Sequence, residues 1–233
     1  MKNLLLIAAL LALSCKAPVL SGETVKETRN TGQFSAVSLA LSADVFLTQG
    51  PVQKIEIEGE KTSIEEIETV VEGEILRIRT KDKFHGNIGK VSVYITVPEI
   101  NALSVAGSGD IAAASDIRTD ELDLNVSGSG SIRFSKLSAR EVSATITGSG
   151  NIDVSAGEAQ SELDVVITGS GSFSAEGFSV PETDVTITGS GSARVWTVKE
   201  LETNITGSGN VIFKGNPQVN ANSTGSGRTR PIQ

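Results

Sequence analysis

The tripeptide Gly-Ser-Gly is the first candidate for chemistry in this sequence. It occurs seven times, beginning at Gly107, Gly128, Gly148, Gly169, Gly189, Gly207 and Gly225. Glycine-rich turns can bind phosphate, but a phosphate loop needs Gly-Lys-Ser/Thr before a helix, and this pattern is absent. Calcium β-rolls need an Asp in every repeat, whereas only the first copy is followed by an acid, Asp110. The sequence therefore predicts no bound metal and no cofactor.

Catalytic groups are also sparse. His85 is the single histidine and is predicted to lie in a loop, and the repeat serines are equivalent copies with no distinct nucleophile. The repeats carry scattered acids, at Asp110, Asp123, Asp153, Asp164 and Asp184. A paired-acid glycosidase site on a groove stays open as an alternative. We predict that the protein is not an enzyme.

The composition favours stacked β-structure over a nucleic-acid-binding fold. Aromatic residues make up 4% of the chain, and Val, Ile, Thr, Ser and Gly dominate. The net charge of -8, without a cluster of Lys and Arg, excludes nucleic acid as a predicted partner. The single cysteine excludes an intramolecular disulfide.

That cysteine, Cys15, ends a leader-like segment. Lys2 precedes an apolar run from Leu4 to Leu13, which is shorter than the roughly 20 residues that span a bilayer. A small residue, Ser14, stands before Cys15, as in the lipobox of bacterial lipoproteins. We predict a signal peptide over 1–15, lipid attachment at Cys15 and a polar tether over 16–32. Ordinary secretion, periplasmic or extracellular, is the alternative.

The residues around each Gly-Ser-Gly alternate with a period of two. Successive copies start 21, 20, 21, 20, 18 and 18 residues apart. Two residues before the first glycine stand Val105, Val126, Ile146, Ile167, Ile187, Ile205 and Ser223, and four residues after it stand Ile111, Ile132, Ile152, Phe173, Ala193, Val211 and Thr229. Polar residues fill the positions between, which indicates short strands with one buried face. The pattern predicts an all-β fold: a repetitive parallel β-solenoid, β-helix-like, with about 20 residues per coil.

Both glycines of each tripeptide fall on inward positions of this alternation. We interpret them as structural turn residues where one coil approaches the next. The set comprises Gly107, Gly109, Gly128, Gly130, Gly148, Gly150, Gly169, Gly171, Gly189, Gly191, Gly207 and Gly209. The outward positions include Thr-x-Thr at 145–147 and 186–188, a feature of ice-binding solenoids. Asn125, Val166 and Asn204 interrupt that ladder, so a solvated strand face is the favoured interpretation.

Residues 33–100 lack the tripeptide but alternate in the same way. The alternation predicts Ile55 and Ile57 on one face of a strand and Glu56 and Glu58 on the other, and "VSVYITVP" continues the pattern. The glutamates from 56 to 74 are interpreted as a solvated face. "TSIEEIETVV" is the one segment that predicts a helical turn or short helix. This part either continues the solenoid or caps it.

Three segments and the repeats together resemble a known family. "FSAVSLALSADVFLTQG", "EGEILRIRTKD" and "VYITVPEINALSVAGSGDI", followed by the Gly-Ser-Gly repeats, resemble the auto-transporter adhesin head GIN domain, also called domain of unknown function 2807. The resemblance covers residues 33–228. It implies an exported, all-β, solenoid-like protein, often a lipoprotein. It brings no catalytic residues with it.

These observations predict the organisation and a broad function. Residues 33–228 form one β-solenoid domain, divided into 33–100 and the seven repeats of 101–228, and 229–233 form a tail. We expect a non-enzymatic interaction or structural protein of the cell envelope, for which an adhesin-like role is one form, with an unknown protein or glycan partner and a membrane anchor at Cys15. A polysaccharide-active enzyme and a secreted glycan-binding protein are the alternatives.

Overall fold

The computed structural model describes residues 22–82, 86 and 88–232. Cys15, the predicted signal peptide and His85 lie outside the described residues. The fold is a nearly closed β-solenoid of about 6 turns, with 71% strand and 2% helix. The predicted all-β solenoid with about 20 residues per coil is confirmed.

The N-terminal part comprises seven strands and one short helix. They are β1 (Thr24–Arg29), β2 (Ala36–Ala40), β3 (Asp44–Gln49), β4 (Lys54–Glu60), α1 (Lys61–Glu65), β5 (Ile67–Glu72), β6 (Ile75–Thr80) and β7 (Val91–Val97).

The repeat part consists of strands alone among its described residues. They are β8 (Ala102–Gly107), β9 (Asp110–Ala113), β10 (Ile117–Arg118), β11 (Glu121–Gly128), β12 (Ser131–Phe134), β13 (Leu137–Gly148), β14 (Asn151–Val154), β15 (Gly157–Gly169), β16 (Ser172–Gly189), β17 (Ser192–Gly207), β18 (Asn210–Lys214), β19 (Gln218–Gly225) and β20 (Arg228–Pro231).

Two parallel faces meet at the Gly-Ser-Gly turn. The first face contains the strands before the turn: β2, β8, β11, the C-terminal parts of β13, β15, β16 and β17, and β19. The second face contains the strands after it: β3, β9, β12, β14, the N-terminal parts of β16 and β17, β18 and β20. A short third face joins the second face back to the first, beginning with β10 and the start of β13.

The core is built from columns of small branched side chains stacked coil upon coil. Val126, Ile146, Ile167, Ile187 and Ile205 face one another in register on the first face, and all are buried. Because β-branched residues suit a pleated surface, one residue type can repeat along the stack. Alternation in the sequence thus becomes alternation between core and solvent.

The N-terminal part continues the solenoid and also closes its end. Strand β2 pairs in parallel with β8, and β3 pairs in parallel with β9. Beyond them, β1, β4 and β7 pair antiparallel, as do β5 and β6. Buried residues of both parts belong to a single hydrophobic core. The open edge of this end is therefore covered by hairpins.

Two local expectations need correction, and the expected short helix is present over a narrower range. Residues 24–29, assigned to the polar tether, form β1, because Val25 packs against the core and Lys26 pairs with Glu56 of β4 at 3.5 Å. The predicted helix is limited to Lys61–Glu65, and the following β-branched residues continue as β5. Part of the predicted tail, 229–231, belongs to β20.

Candidate interaction surface

The Gly-Ser-Gly turn is a site of backbone contact between coils. Gly148 has a φ of +110°, and a Cβ built on it would lie 2.7 Å from the carbonyl oxygen of Gly128. The N–H of Ser149 donates to the same oxygen at 2.8 Å. The second glycine, Gly150, is buried, and its Cβ would lie 2.3 Å from Val126 Cγ1. A side chain has no room at either position.

The two glycines of each tripeptide differ in orientation. The expectation that both point inward holds only for the second, which is buried in every copy. The first glycine is never buried and has a positive φ, from +110° to +124°, in all seven copies. An exposed position therefore still excludes other residues, because this backbone conformation disfavours an L side chain.

The twelve predicted turn glycines all lie at this junction of the two faces. The first glycines are Gly107, Gly128, Gly148, Gly169, Gly189 and Gly207, and the second are Gly109, Gly130, Gly150, Gly171, Gly191 and Gly209. From the second coil of repeats onward, the amide of the central serine donates to the preceding coil at 2.8–2.9 Å. These amides are the groups that would hold a phosphate, so the turns offer no anion cradle.

The solvent side of the first face carries two polar columns next to the turn. One column contains Asn125, Thr145, Val166, Thr186, Asn204 and Asn222, and the other contains Ser127, Thr147, Thr168, Thr188, Thr206 and Thr224. Val166, with 41% of its surface exposed, interrupts the first column. The face therefore presents hydroxyl and amide groups at the spacing of the strands, roughly 4.8 Å.

Two further columns on the same face are acidic. One contains Glu121, Glu141, Glu162, Glu182 and Glu200, and the other contains Asp123, Asp164, Asp184 and Glu202. We call these nine residues the acidic stripe. At the Glu121 end, Arg140 pairs with Asp120, Glu121 and Glu141. Among the described residues, no ion pair reaches the rest of the stripe.

The carboxylates of Glu162, Asp164 and Asp184 converge at the middle of the stripe. Ligand oxygens of the three lie within 4.8 Å of one another. The charge of Asp164, followed by partial burial, raises the pKa of Glu162. Burial, followed by the charge of Asp164, raises the pKa of Asp184. Carboxylate oxygens are suitable ligands for a divalent cation, but open acidic groups of this kind also occur without one.

Neutralising one stripe carboxylate should stabilise the fold at neutral pH. We expect Asp184→Asn to raise Tm at pH 7, because the substitution removes a charge that is partly desolvated and is repelled by neighbouring carboxylates, an effect of a screened fraction of a kcal/mol. The raised pKa means that folded Asp184 takes up its proton at a higher pH than the unfolded chain. The repulsion is therefore present above that pKa and fades as the pH falls through it.

The measurement is thermal unfolding of both proteins between pH 7 and pH 3, over which the two Tm values should converge. Asp123→Asn is the matched control, since Asp123 lies in the same column but faces Ser143. It should change Tm less than Asp184→Asn. A Tm difference for Asp184→Asn that is independent of pH would contradict the repulsion.

The structure divides the five acids considered as catalytic candidates between two faces. Asp123, Asp164 and Asp184 belong to the stripe, whereas Asp110 and Asp153 lie on the second face. Asp110 accepts a hydrogen bond from Ser131 and pairs with Arg133 at 3.6 Å. Asp153 accepts one from Ser155 at 3.0 Å. The two second-face acids are thus engaged locally.

Of the three clustered carboxylates, Glu162 is the one that the sequence interpretation did not single out. A usable signal was present, because an acid stands seven residues before the first glycine in five of the seven copies. Those acids are Glu121, Glu141, Glu162, Glu182 and Glu200. The period-two alternation predicts that their side chains face solvent, and the register of the paired strands aligns them in one column.

An open groove lies at the N-terminal end of the domain. It has a volume of about 420 Å³ and is lined by residues of 33–35, 51–53 and 98–99, together with Glu74. Gln53 fixes the segment before β2, since its side chain accepts from the Phe34 amide at 3.2 Å and donates to the Gly32 carbonyl at 2.9 Å. Ser35 Oγ donates to Glu74 at 3.3 Å. Among the described residues, no Lys, Arg or His lines this groove, and no described basic side chain there faces an anionic ligand.

None of the helical structure in the described residues has the length and hydropathy of a membrane span. No curated protein matches this chain. Three solved structures show the same fold, each covering 91% of this chain and 98% of its own. They are a putative adhesin from Bacteroides fragilis (20% identity, TM-score 0.85), a putative lipid binding protein from Parabacteroides distasonis (20%, 0.74) and a putative adhesin from Parabacteroides merdae (24%, 0.73).

The family follows from the sequence match. Residues 33–217 match the family model described as "Putative auto-transporter adhesin, head GIN domain". That range includes β2 to β18 and therefore most of both faces. The expected resemblance is confirmed: the chain belongs to the head GIN domain family of putative auto-transporter adhesins.

Proposed function

We propose that this chain is a non-enzymatic interaction protein of the cell envelope, attached to a membrane through a lipid on Cys15. The observation that carries the proposal is the regular outward side of the first face, on which equivalent polar and acidic positions repeat over successive coils. Family membership supports a surface role, and the sequence before Cys15 supports export.

The first face suits binding better than turnover. Its hydroxyl, amide and carboxylate groups are fixed on a rigid sheet at intervals of roughly 4.8 Å, so several contacts can form at once without ordering of the protein. An extended surface of this kind is how repeat proteins bind large ligands. The proposed partner is a protein or a glycan that lies along the stripe and the neighbouring polar columns.

A polysaccharide-active enzyme is the second candidate, because Glu162, Asp164 and Asp184 form a carboxylate cluster. Retaining glycosidases use two carboxyl groups about 5–5.5 Å apart, one of which has a raised pKa. Here the raised pKa values have a simpler cause, which is the like charge of Asp164 and partial burial for Glu162, and partial burial and the like charge of Asp164 for Asp184. Asp164 and Asp184 are exposed on the open face, where bulk water would compete with an ordered reaction.

The anchor is tested by metabolic labelling. The full chain and its Cys15→Ala variant are expressed in a bacterial host with radioactive palmitate, and membrane and soluble fractions are compared. We expect label and membrane retention in the wild type, and loss of both in the variant. Ser14→Ala is the matched control, since it keeps a small residue before the cysteine and should retain the label. A labelled Cys15→Ala protein, or an unlabelled wild type, would refute the anchor.

Binding and turnover are separated by a second experiment. The purified full chain is incubated with a panel of envelope polysaccharides and surface glycoproteins, and both the bound fraction and the release of new reducing ends are measured. We expect binding without product, with weaker binding by Glu162→Gln/Asp164→Asn. Product release that this double substitution abolishes would establish the enzyme instead. Absence of any binding across the panel would count against the interaction role.

A further inference from the structure

The charge of the solenoid changes sign towards its C-terminal end. The chain has no Asp or Glu after Glu202, whereas Lys214, Arg228 and Arg230 follow that residue. Together with Arg194, these three cations lie on the second face. We call the four residues the cationic patch. A protein with a net charge of -8 thus carries a local positive surface.

Strand register brings the four cations together. Arg194 faces Ile212, which faces Arg230, so the two arginines stand in one column with their backbones two strand spacings apart, roughly 9.6 Å. Trp196 and Lys214 face each other on the same strands. Arg194 and Trp196 alternate with buried residues along β17, and Lys214 is exposed at the end of β18, so their side chains point to solvent.

Most of this positive charge is unpaired within the molecule. Arg194 pairs with Glu176 at 2.7 Å, and the Lys214 ammonium lies 3.6 Å from the centre of the Trp196 ring. The two arginines of β20 are exposed, and no carboxylate of the described residues lies within ion-pair distance of either. The patch can therefore accept acidic groups from another molecule without breaking existing ion pairs on β20.

The acidic stripe is the chemical complement of this patch and is unpaired over most of its length. Its carboxylates repeat at one strand spacing, so groups two coils apart, such as Glu162 and Glu200, are roughly 9.6 Å apart. That separation matches the one between Arg194 and Arg230. Charge and spacing agree because both surfaces are built on the same strand repeat.

We propose that this chain self-associates, with the cationic patch of one copy binding the acidic stripe of another. Patch and stripe lie on different faces, so the contact is heterologous, and each copy can act as donor and acceptor at the same time. A second copy neutralises both surfaces, whereas an anionic polymer would neutralise only the patch. The inference goes beyond the proposed function and does not require a lipid at Cys15.

Sedimentation velocity tests the contact on the full chain in a Cys15→Ala background. Four samples are compared at about 20 mM and about 500 mM salt, since screening weakens exposed charge pairs at the higher value. They are the parent, a patch variant (Arg228→Glu/Arg230→Glu), a stripe variant (Asp164→Lys/Asp184→Lys) and an equimolar mixture of the two variants. We expect the parent to associate at low salt and to dissociate at high salt.

The mixture provides the decisive comparison. Each variant alone should lose association at least about tenfold, because Arg228→Glu/Arg230→Glu cancels the charge of the patch and Asp164→Lys/Asp184→Lys places two cations in the middle of the stripe. The mixture should associate again, since the unchanged stripe of the patch variant meets the unchanged patch of the stripe variant, and this recovery also shows that both variants are folded. Lys61→Glu/Lys90→Glu is the matched control for the patch variant: it makes the same change in net charge at the capped end and should associate like the parent.

Three results would overturn the proposal. They are a parent that stays monomeric at low salt, association that both variants retain, and variants that remain monomeric when mixed although their melting temperatures match that of the parent. Binding of the parent to a polyanion such as heparin, combined with a monomeric state at low salt, would assign the patch to an anionic polymer instead.

Discussion

Gly148→Ala should lower the free energy of unfolding by about 3 kcal/mol or more, the sum of backbone strain and overpacking. The substitution places a Cβ on a residue with a φ of +110° and within 2.7 Å of the Gly128 carbonyl oxygen. Since that oxygen belongs to the backbone of the preceding coil, relief requires the two coils to separate. The measurement is urea unfolding followed by circular dichroism, with the midpoint expected to fall.

The stack supplies matched controls that separate these two causes. Gly107 has the same positive φ, +111°, but a Cβ there meets nothing within 4 Å. Gly107→Ala should therefore cost only the strain, about 1–2 kcal/mol. Gly150 lacks the positive φ, so the loss of stability in Gly150→Ala measures only the clash of the new Cβ with Val126 and Gly130. Equal losses at Gly107 and Gly148 would show that contact between coils contributes nothing.

Phe173→Ala should cost roughly 3–5 kcal/mol, the range for removing a buried aromatic side chain. Phe173 is 1% exposed and stands in register between Ile152 and Ala193. The large ring lies beside a small side chain of the next coil, so no neighbour can fill the cavity without moving a strand. The measurement is the shift in the denaturant midpoint, with the slope of the transition recorded as well.

Val166→Ala is the control for Phe173→Ala. Val166 is 41% exposed on the first face, and its truncation should change stability by less than about 0.5 kcal/mol. Because each coil contacts mainly its neighbours, hydrogen exchange in Phe173→Ala should quicken first in the coils around the cavity. A loss of protection spread evenly to the capped N-terminal end would contradict this nearest-neighbour picture.

Sequence alternation predicted the first two faces because each is a strand with one buried side. The buried columns that contain Ile146 and Ile152 could be predicted from two features alone: the period-two alternation and the constant distance from the tripeptide. Thr203 breaks the apolar column in sequence yet is buried, since its hydroxyl shares a hydrogen bond of 2.8 Å with Thr229. A satisfied hydroxyl can occupy a core position that composition alone assigns to an apolar residue.

The third face was not predictable in the same way. Leu137 and Phe178 stand nine residues after the first glycine of their tripeptides, but Ile117 stands ten residues after it and Gly157 occupies the same column, and the register shifts there between Ala139 and Glu141. Short strands with bulges carry too few alternating positions to establish a period. The acidic stripe is different, because its acids have constant spacing. The sequence could not show that two acidic columns lie side by side on one face, because that depends on the register of the paired strands.

These bulges have a consequence for how such a chain can vary. Successive coils differ in length, with tripeptides 18 to 21 residues apart, yet the first two faces stay aligned residue for residue. The third face absorbs the difference, as at the shifts between Ala175 and Ser179 and between Val180 and Glu182. Insertions and deletions are therefore tolerated along one side of the molecule only. That side is free to diversify while the opposite surfaces keep their periodicity.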